Sequence, residues 1–92
     1  MRLAAAAMLL AAAAGCSKPL PEEGSADAAL YAQRCGGCHV AHHPSALTAA
    51  MWDVMVKRMD SEIKRRGFPP LAEPERGRVL AYLQRHAEGA PP

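Results

Sequence analysis

Cys35, Cys38 and His39 lie within five consecutive residues and carry the side chains of this chain best suited to chemistry. Two thiols separated by two residues and followed at once by an imidazole form the attachment motif of a c-type haem. The thiols add across the two haem vinyl groups as thioethers, and the imidazole becomes the proximal iron ligand. Gly36 and Gly37 are expected to let the backbone pass close to the porphyrin edge. The motif therefore predicts one covalently attached haem c.

Other uses of a paired-cysteine motif fit this sequence less well. A structural zinc site takes four ligands, usually from two paired clusters, and the only further cysteine is Cys16. A thioredoxin-like redox pair belongs to a βαβ unit, whereas no segment here alternates as a strand does. A structural lipoprotein with a chance motif is the third alternative, which a haem assay would identify.

The start of the chain indicates export. Arg2 supplies a positive charge, and an apolar run follows from Leu3 to Ala14. These are features of a secretory signal peptide, and the run is shorter than the roughly 20 apolar residues that span a bilayer. The tetrapeptide ending at Cys16 resembles a bacterial lipoprotein signal, although Ala13 stands where leucine is usual. We predict removal of residues 1–15 and a lipid on Cys16.

The cysteine count supports lipidation of Cys16. The chain has three cysteines, and haem attachment uses two of them. Without a lipid, the third would be an unpaired thiol in an oxidising compartment, and lipidation explains its presence. The alternative is ordinary cleavage of the signal peptide, which would leave Cys16 as a spare thiol. A lipid places the protein on the periplasmic side of a bacterial membrane. Ser17, directly after Cys16, resembles the sorting pattern of lipoproteins of the outer membrane. This favours the outer membrane, but the choice between inner and outer membrane stays open.

The rest of the chain predicts one small domain. Residues 16–25 combine proline, glycine and charged side chains without an apolar period, which predicts a flexible tether. Residues 26–87 are expected to form the domain and residues 88–92 a loose tail. A domain this small often needs a cross-link or a cofactor to stabilise its core. A covalently attached haem would provide this stabilisation. The net charge of +2 includes Arg2, so the mature chain is close to neutral and nothing in it suggests nucleic acid binding.

The domain is expected to be all-α, with about three helices packed around the haem. Ser25 is a suitable N-cap for the first helix, Gly67 is a natural stop for the second, and Pro74 suits the first turn of the third. No segment has the alternation of a strand. The expected spans are about 25–35, 48–66 and 74–86.

The second helix carries candidates for the second axial ligand of the iron. At about 100° per residue its apolar side chains share one stripe, with Met59 near the middle and Met55 one turn earlier. Methionines at helical spacing usually fill a core. Here we expect one of them to bind the iron instead, because the haem iron needs a second axial ligand. The stripe comprises Met51, Trp52, Met55, Val56, Met59 and Ile63, and the charged residues Asp53, Lys57, Asp60 and Lys64 fall opposite it.

From about residue 26 to 87 the chain resembles a small single-haem cytochrome c domain. In that family an aromatic residue four positions before the first haem cysteine packs on an aromatic-leucine pair in the last helix. Tyr31, Tyr82 and Leu83 match this pattern. The family also implies that a proline carbonyl after the proximal histidine orients its ring, and Pro44 is the candidate.

The chain departs from the family at the sixth iron ligand. Many members place the methionine just before a proline ahead of the last helix, and here Phe68 stands before Pro69. Trp52 followed seven residues later by Met59 resembles a subgroup of small cytochromes and haem domains of periplasmic dehydrogenases. That resemblance implies Met59 as the distal ligand.

Alternatives for the sixth position stay open. Met55 is the first of them, and an open site is another. His42 and His43 are the histidine alternative. They follow His39 so closely that we expect both on the same side of the haem or at its rim, where solvated loop histidines are the better interpretation. Trp52 is expected against the haem, with its indole N–H directed at a propionate.

A haem iron with six ligands has no position for a substrate, which favours electron transfer. We therefore expect an electron carrier that is not an enzyme by itself and that is held at the membrane by the lipid on Cys16. We expect a monomer whose redox protein partners the sequence does not name. The alternatives are the haem subunit of a periplasmic oxidoreductase complex, and a haem-based ligand sensor or peroxide-reducing enzyme with an open sixth site.

Overall fold

In the computed structural model, residues 18–37 and 39–91 are described. They form three α-helices and a short 3-10 turn, with no strand among them, which confirms the all-α class. None of the helices in these ranges is long and apolar enough to cross a membrane. The predicted signal peptide, Cys16 and Cys38 lie outside the described residues. The helices are α1 (Ala26–Cys35), α2 (Ala49–Arg65) and α3 (Glu75–Arg85), and the 3-10 turn is Pro44–Ala46.

The helix ends follow from their capping residues. The Ser25 side chain accepts a hydrogen bond from the backbone N–H of Ala28 at 3.1 Å, which satisfies a free donor of the first turn of α1. At the end of α2, Gly67 takes a left-handed φ of +79°. The N–H of Phe68 then donates to the Ile63 carbonyl at 3.1 Å, the bond of a Schellman motif. Both boundaries confirm the predicted caps.

Three aromatic rings form the centre of the core. Tyr31, Trp52 and Tyr82 come from α1, α2 and α3, and each is at most 2% exposed. The centroid of the Tyr31 ring lies 6.3 Å from that of Trp52 and 5.7 Å from that of Tyr82. Tilted and edge-on contacts at these distances are favourable for aromatic pairs. The predicted contact between Tyr31 and the last helix is therefore confirmed.

The buried face of α2 differs from the predicted stripe. Trp52, Val56 and Asp60 are buried, whereas Met51 is 51% exposed. Asp60 was predicted on the charged face, and this was wrong. The chain after α2 folds back over Asp60, and the backbone N–H of Leu71 donates to its carboxylate at 2.8 Å. Burial of a carboxylate is tolerated when it receives such hydrogen bonds.

Part of the predicted tether is packed on the domain. Leu20 packs against the hydrophobic core, and the hydroxyl of Tyr82 donates to the Pro21 carbonyl at 2.8 Å. We call residues 20–25 the strap. A flexible tether was predicted for all of 16–25, whereas the strap is packed on the domain. The reason is that this proline-rich, charged segment contacts helix α3, which lies far along the chain.

The predicted loose tail is also held at its first residue. The backbone N–H of Glu88 donates to the Leu47 carbonyl at 2.9 Å, and Glu88 forms an isolated β-bridge with Thr48. The chain after α3 is therefore attached to the start of α2.

An ion-pair network fixes the strap to α3. The Glu22 carboxylate accepts a hydrogen bond from Arg85 at 2.7 Å and contacts the ring of His86. Arg85 also donates to Asp27 at 2.9 Å, and Arg78 donates to the same carboxylate at 2.8 Å. The hydrogen bonds from Arg85 and then His86 lower the pKa of Glu22 from 4.5 to about 2.

This lowered pKa predicts how the strap responds to acid. The Glu22 carboxylate stabilises the folded state fully above pH 4.5, and that contribution is lost as the pH falls through about 2. Glu22→Gln should lower the thermal midpoint of the holoprotein at pH 7. Between pH 4.5 and about 2 the variant should lose less of its free energy of unfolding than the wild type does. The measurement is thermal unfolding at pH 7, 5 and 3. Glu23→Gln, a change at the exposed neighbouring residue, is the control, and equal effects of the two changes would contradict the role of Glu22.

Candidate haem site

A cavity at the C-terminal ends of α1 and α2 brings predicted ligands together. Cys35, His39 and Met59 all line it, and its volume is about 280 Å³. Cys35 ends α1, Met59 lies in the second half of α2, and His39 follows α1 as the last residue of the haem motif. The remaining lining residues are Gln33, Arg34, Gly37, Glu62, Ile63, Arg66, Phe68 and Pro69.

A second cavity of about 270 Å³ adjoins the first, because Cys35 and Met59 line both. Its walls are mainly apolar and include two of the three core rings, Tyr31 and Trp52. The two cavities together offer mostly apolar walls to a large group bound next to Met59. The other residues lining the second cavity are Tyr31, His42, Ala46, Leu47, Trp52 and Met55.

Cys35 is buried, and this burial raises the pKa of its thiol to about 11. A disulfide-exchanging cysteine works as a thiolate and needs a lowered pKa, so the environment of Cys35 does not suit a redox pair. The turn that follows requires glycine at its first position. A Cβ on Gly36 would lie 2.4 Å from the Ala32 carbonyl oxygen, whereas a Cβ on Gly37 would lie 4.0 Å from its nearest neighbour, the Gln33 carbonyl oxygen.

The His39 ring is exposed and lies on the wall of the first cavity. Its Nδ1 atom is 3.0 Å from the Val40 carbonyl, so an N–H there donates to the backbone and leaves Nε2 for a metal. Pro44 was expected to provide that carbonyl. In the structure the Pro44 carbonyl instead accepts a hydrogen bond from the indole N–H of Trp52 at 2.7 Å. That N–H is therefore used inside the protein rather than directed at a propionate.

The loop after the haem motif is held by Tyr31. The Tyr31 hydroxyl donates to the His42 carbonyl at 2.7 Å, and burial raises the pKa of this phenol, which keeps it a donor. The rings of His39 and His42 lie 5.7 Å apart, with His39 on the first cavity and His42 on the second. His43 has a different task, because its Nδ1 accepts a hydrogen bond from the backbone N–H of Ser45 at 3.1 Å and caps the 3-10 turn.

The two candidate methionines occupy different positions relative to His39. Met59 lines both cavities, including the one that His39 lines, whereas Met55 lines the second cavity alone. Both side chains are half-buried. The geometry therefore favours Met59 over Met55 as the thioether that reaches the same bound group as the histidine.

Arg34 is a site residue that the sequence pattern did not single out. Its guanidinium donates to the carbonyls of Pro69 and Pro70 at 2.9 and 3.0 Å and lines the first cavity. The Arg34 Nε atom is 3.4 Å from the Glu75 carboxylate, within reach of charge attraction but without hydrogen-bond geometry. Nε is buried and has no hydrogen-bond partner among the described residues. The only sequence signal was its position directly before Cys35.

These residues fit a covalently bound haem c. Imidazole and thioether are the usual axial ligands of cytochrome haem iron, and His39 and Met59 supply them on one cavity. The Cys35 thiol lies on the same cavity, and the walls are mostly apolar.

A family model described as dihaem cytochrome c matches residues 31–91 of this 92-residue chain. The chain belongs to the dihaem cytochrome c family. Membership supports a cytochrome c domain that binds haem c and acts as an electron carrier. Searches of curated proteins and of solved structures gave no match. This dihaem cytochrome c relative contains one Cys-x-x-Cys-His motif, although the family name refers to two haems.

The cavity geometry predicts which methionine binds the iron in this cytochrome. Met59→Ala should remove the weak far-red band of methionine ligation from the ferric spectrum and let the ferrous protein bind carbon monoxide. Met59→His should restore six ligands at a lower reduction potential, because imidazole favours ferric iron more than thioether does. The measurements are absorption spectra and a redox titration.

Met55→Ala is the matched control. It should keep the far-red band and cost roughly 2 kcal/mol of stability, the lower end for a methionine truncation, because Met55 is half-buried. Loss of the band in Met55→Ala with its retention in Met59→Ala would reverse the assignment.

Proposed function

We propose that this protein is a membrane-anchored monohaem cytochrome c that carries single electrons between redox proteins on the periplasmic side of a bacterial membrane. The observation that carries the proposal is that Cys35, His39 and Met59 line one cavity. When bound, haem supplies the one-electron change between ferric and ferrous iron. The protein supplies attachment, both axial ligands and an apolar environment.

One haem per chain follows from the cysteine count. Covalent attachment uses two cysteines and a following histidine, and the sequence offers this set once, at Cys35, Cys38 and His39. The remaining cysteine, Cys16, is not followed by a second such motif. The proposal therefore departs from the family name in haem number.

The residues around Met59 favour electron transfer over ligand chemistry. His39 and Met59 would together hold the iron on both sides, which would leave no position for a substrate. A sensor or peroxide-reducing enzyme would need free polar groups beside an open site. Ile63 and Phe68 add apolar wall to the cavity that Met59 lines, and the charged lining residues Glu62 and Arg66 pair with each other at 3.1 Å. Histidine and methionine ligation raises the reduction potential relative to two histidines. This suits a carrier that accepts electrons from respiratory or dehydrogenase donors.

The proposal predicts haem content and redox behaviour. The purified protein should contain one haem per chain, titrate as a single one-electron couple, and leave carbon monoxide unbound in the ferrous state. The measurements are a pyridine haemochrome assay against protein concentration, a potentiometric titration and a carbon monoxide difference spectrum. The Cys35→Ala, Cys38→Ala double variant should lack haem. Two haems per chain, or binding of carbon monoxide by the wild-type protein, would contradict the proposal and favour a multihaem enzyme or a ligand sensor.

Anchoring depends on Cys16, which haem attachment does not need. Cys16→Ala should move the protein from the membrane fraction to the soluble periplasm, with haem content unchanged, because the lipid is lost and the haem motif is intact. Fractionation of cells with a haem stain of each fraction measures this. Ser17→Ala should stay in the membrane fraction, and a wild-type protein already in the soluble fraction would show that the lipid is absent.

A further inference from the structure

The three helices give the domain two opposite ends. At the first, the Gln84 side chain near the end of α3 donates to the Ala49 carbonyl at the start of α2 at 3.1 Å. At the second, Arg34 near the end of α1 pairs with Glu75 at the start of α3 at 3.4 Å. Helix α3 is therefore antiparallel to both partners. Because α1 has 10 residues and α2 has 17, about 15 to 25 Å of helix separates the two ends.

The strap and the first cavity, which His39 lines, lie at different ends of the domain, whereas the second cavity reaches back toward the start of α2 at Leu47 and Trp52. The strap is fixed by Glu22 to Arg85, in the last turn of α3, at 2.7 Å. The first cavity is lined by Arg34, Arg66 and Phe68, which all lie at the other end. We call these the strap end and the cavity end.

The strap also limits the free chain between the domain and Cys16. The contact of Leu20 with the core fixes the chain from that residue onward. Four residue steps separate Cys16 from Leu20, and four extended residues reach at most about 14 Å. This reach is shorter than α2, so a lipid on Cys16 would keep the strap end close to the headgroups.

We propose that the strap sets the orientation of the domain on the membrane, with the strap end against the lipid headgroups and the cavity end facing the periplasm. This inference rests on the proposed lipid at Cys16. The electron-transfer partner then approaches from the aqueous side as a protein.

Spin labels on α2 test the orientation in the full lipidated holoprotein. Ala50 and Ser61 are both exposed, and eleven residues of helix place them on nearly the same face, about 16 Å apart along the axis. A nitroxide would be attached to Ala50→Cys or to Ser61→Cys in the ferrous protein on vesicles that contain a nickel-chelating lipid. Relaxation by nickel should be several-fold stronger at position 50, because it lies at the strap end.

The matched control lengthens the tether. Twelve glycine and serine residues inserted between Pro19 and Leu20 add a flexible chain of about 20 Å, which should make the two positions equally relaxed. Equal relaxation without the insertion, or stronger relaxation at position 61, would overturn the orientation while the protein stays bound to vesicles. A holoprotein that does not bind vesicles would overturn both the anchoring and the orientation.

Discussion

Tyr31 lies where the three helices and the loop after the haem motif meet. Its ring packs between Trp52 of α2 and Tyr82 of α3, and its hydroxyl donates to the backbone of His42. One side chain thus sets the spacing of the helices and the path of the loop that carries His39. A phenol is suited to this because it joins a large apolar ring to one hydrogen-bond donor. The candidate site is therefore built on the core rather than added to its surface.

The opposite wall of the site depends on polar contacts with the chain between α2 and α3. Asp60 accepts a hydrogen bond from the Leu71 N–H, and Arg34 donates to the Pro69 and Pro70 carbonyls. Burial acts to raise the pKa of Asp60, but the bond from Leu71 and the nearby lysine outweigh it and the pKa is lowered. The segment that carries Phe68 is held between two charged groups, one from α1 and one from α2. Both cavity walls are in this way held by contacts within the protein itself.

The sequence predicted those features whose causes lie within one helix turn. Ser25 and Gly67 act on neighbouring backbone groups, so both helix boundaries could be inferred locally. Asp53 and Lys57, which were both predicted on the charged face, pair one helix turn apart at 3.3 Å. Apart from the contact of Tyr31 with the last helix, which the family resemblance implied, features that depend on distant partners were missed. Asp60 is buried because a donor arrives eleven residues later, and the strap is fixed because Glu22 meets Arg85 63 residues along the chain. No periodicity or capping pattern encodes such encounters.

The two glycines of the haem motif are not equivalent. A Cβ on Gly36 would lie so close to the Ala32 carbonyl oxygen that any side chain would displace the end of α1, whereas a Cβ on Gly37 would make an ordinary contact with the Gln33 carbonyl oxygen. Within the spacer of the motif, the polypeptide itself therefore demands glycine only at position 36. A library that randomises both positions and selects for folded chains should return glycine at 36 far more often than at 37.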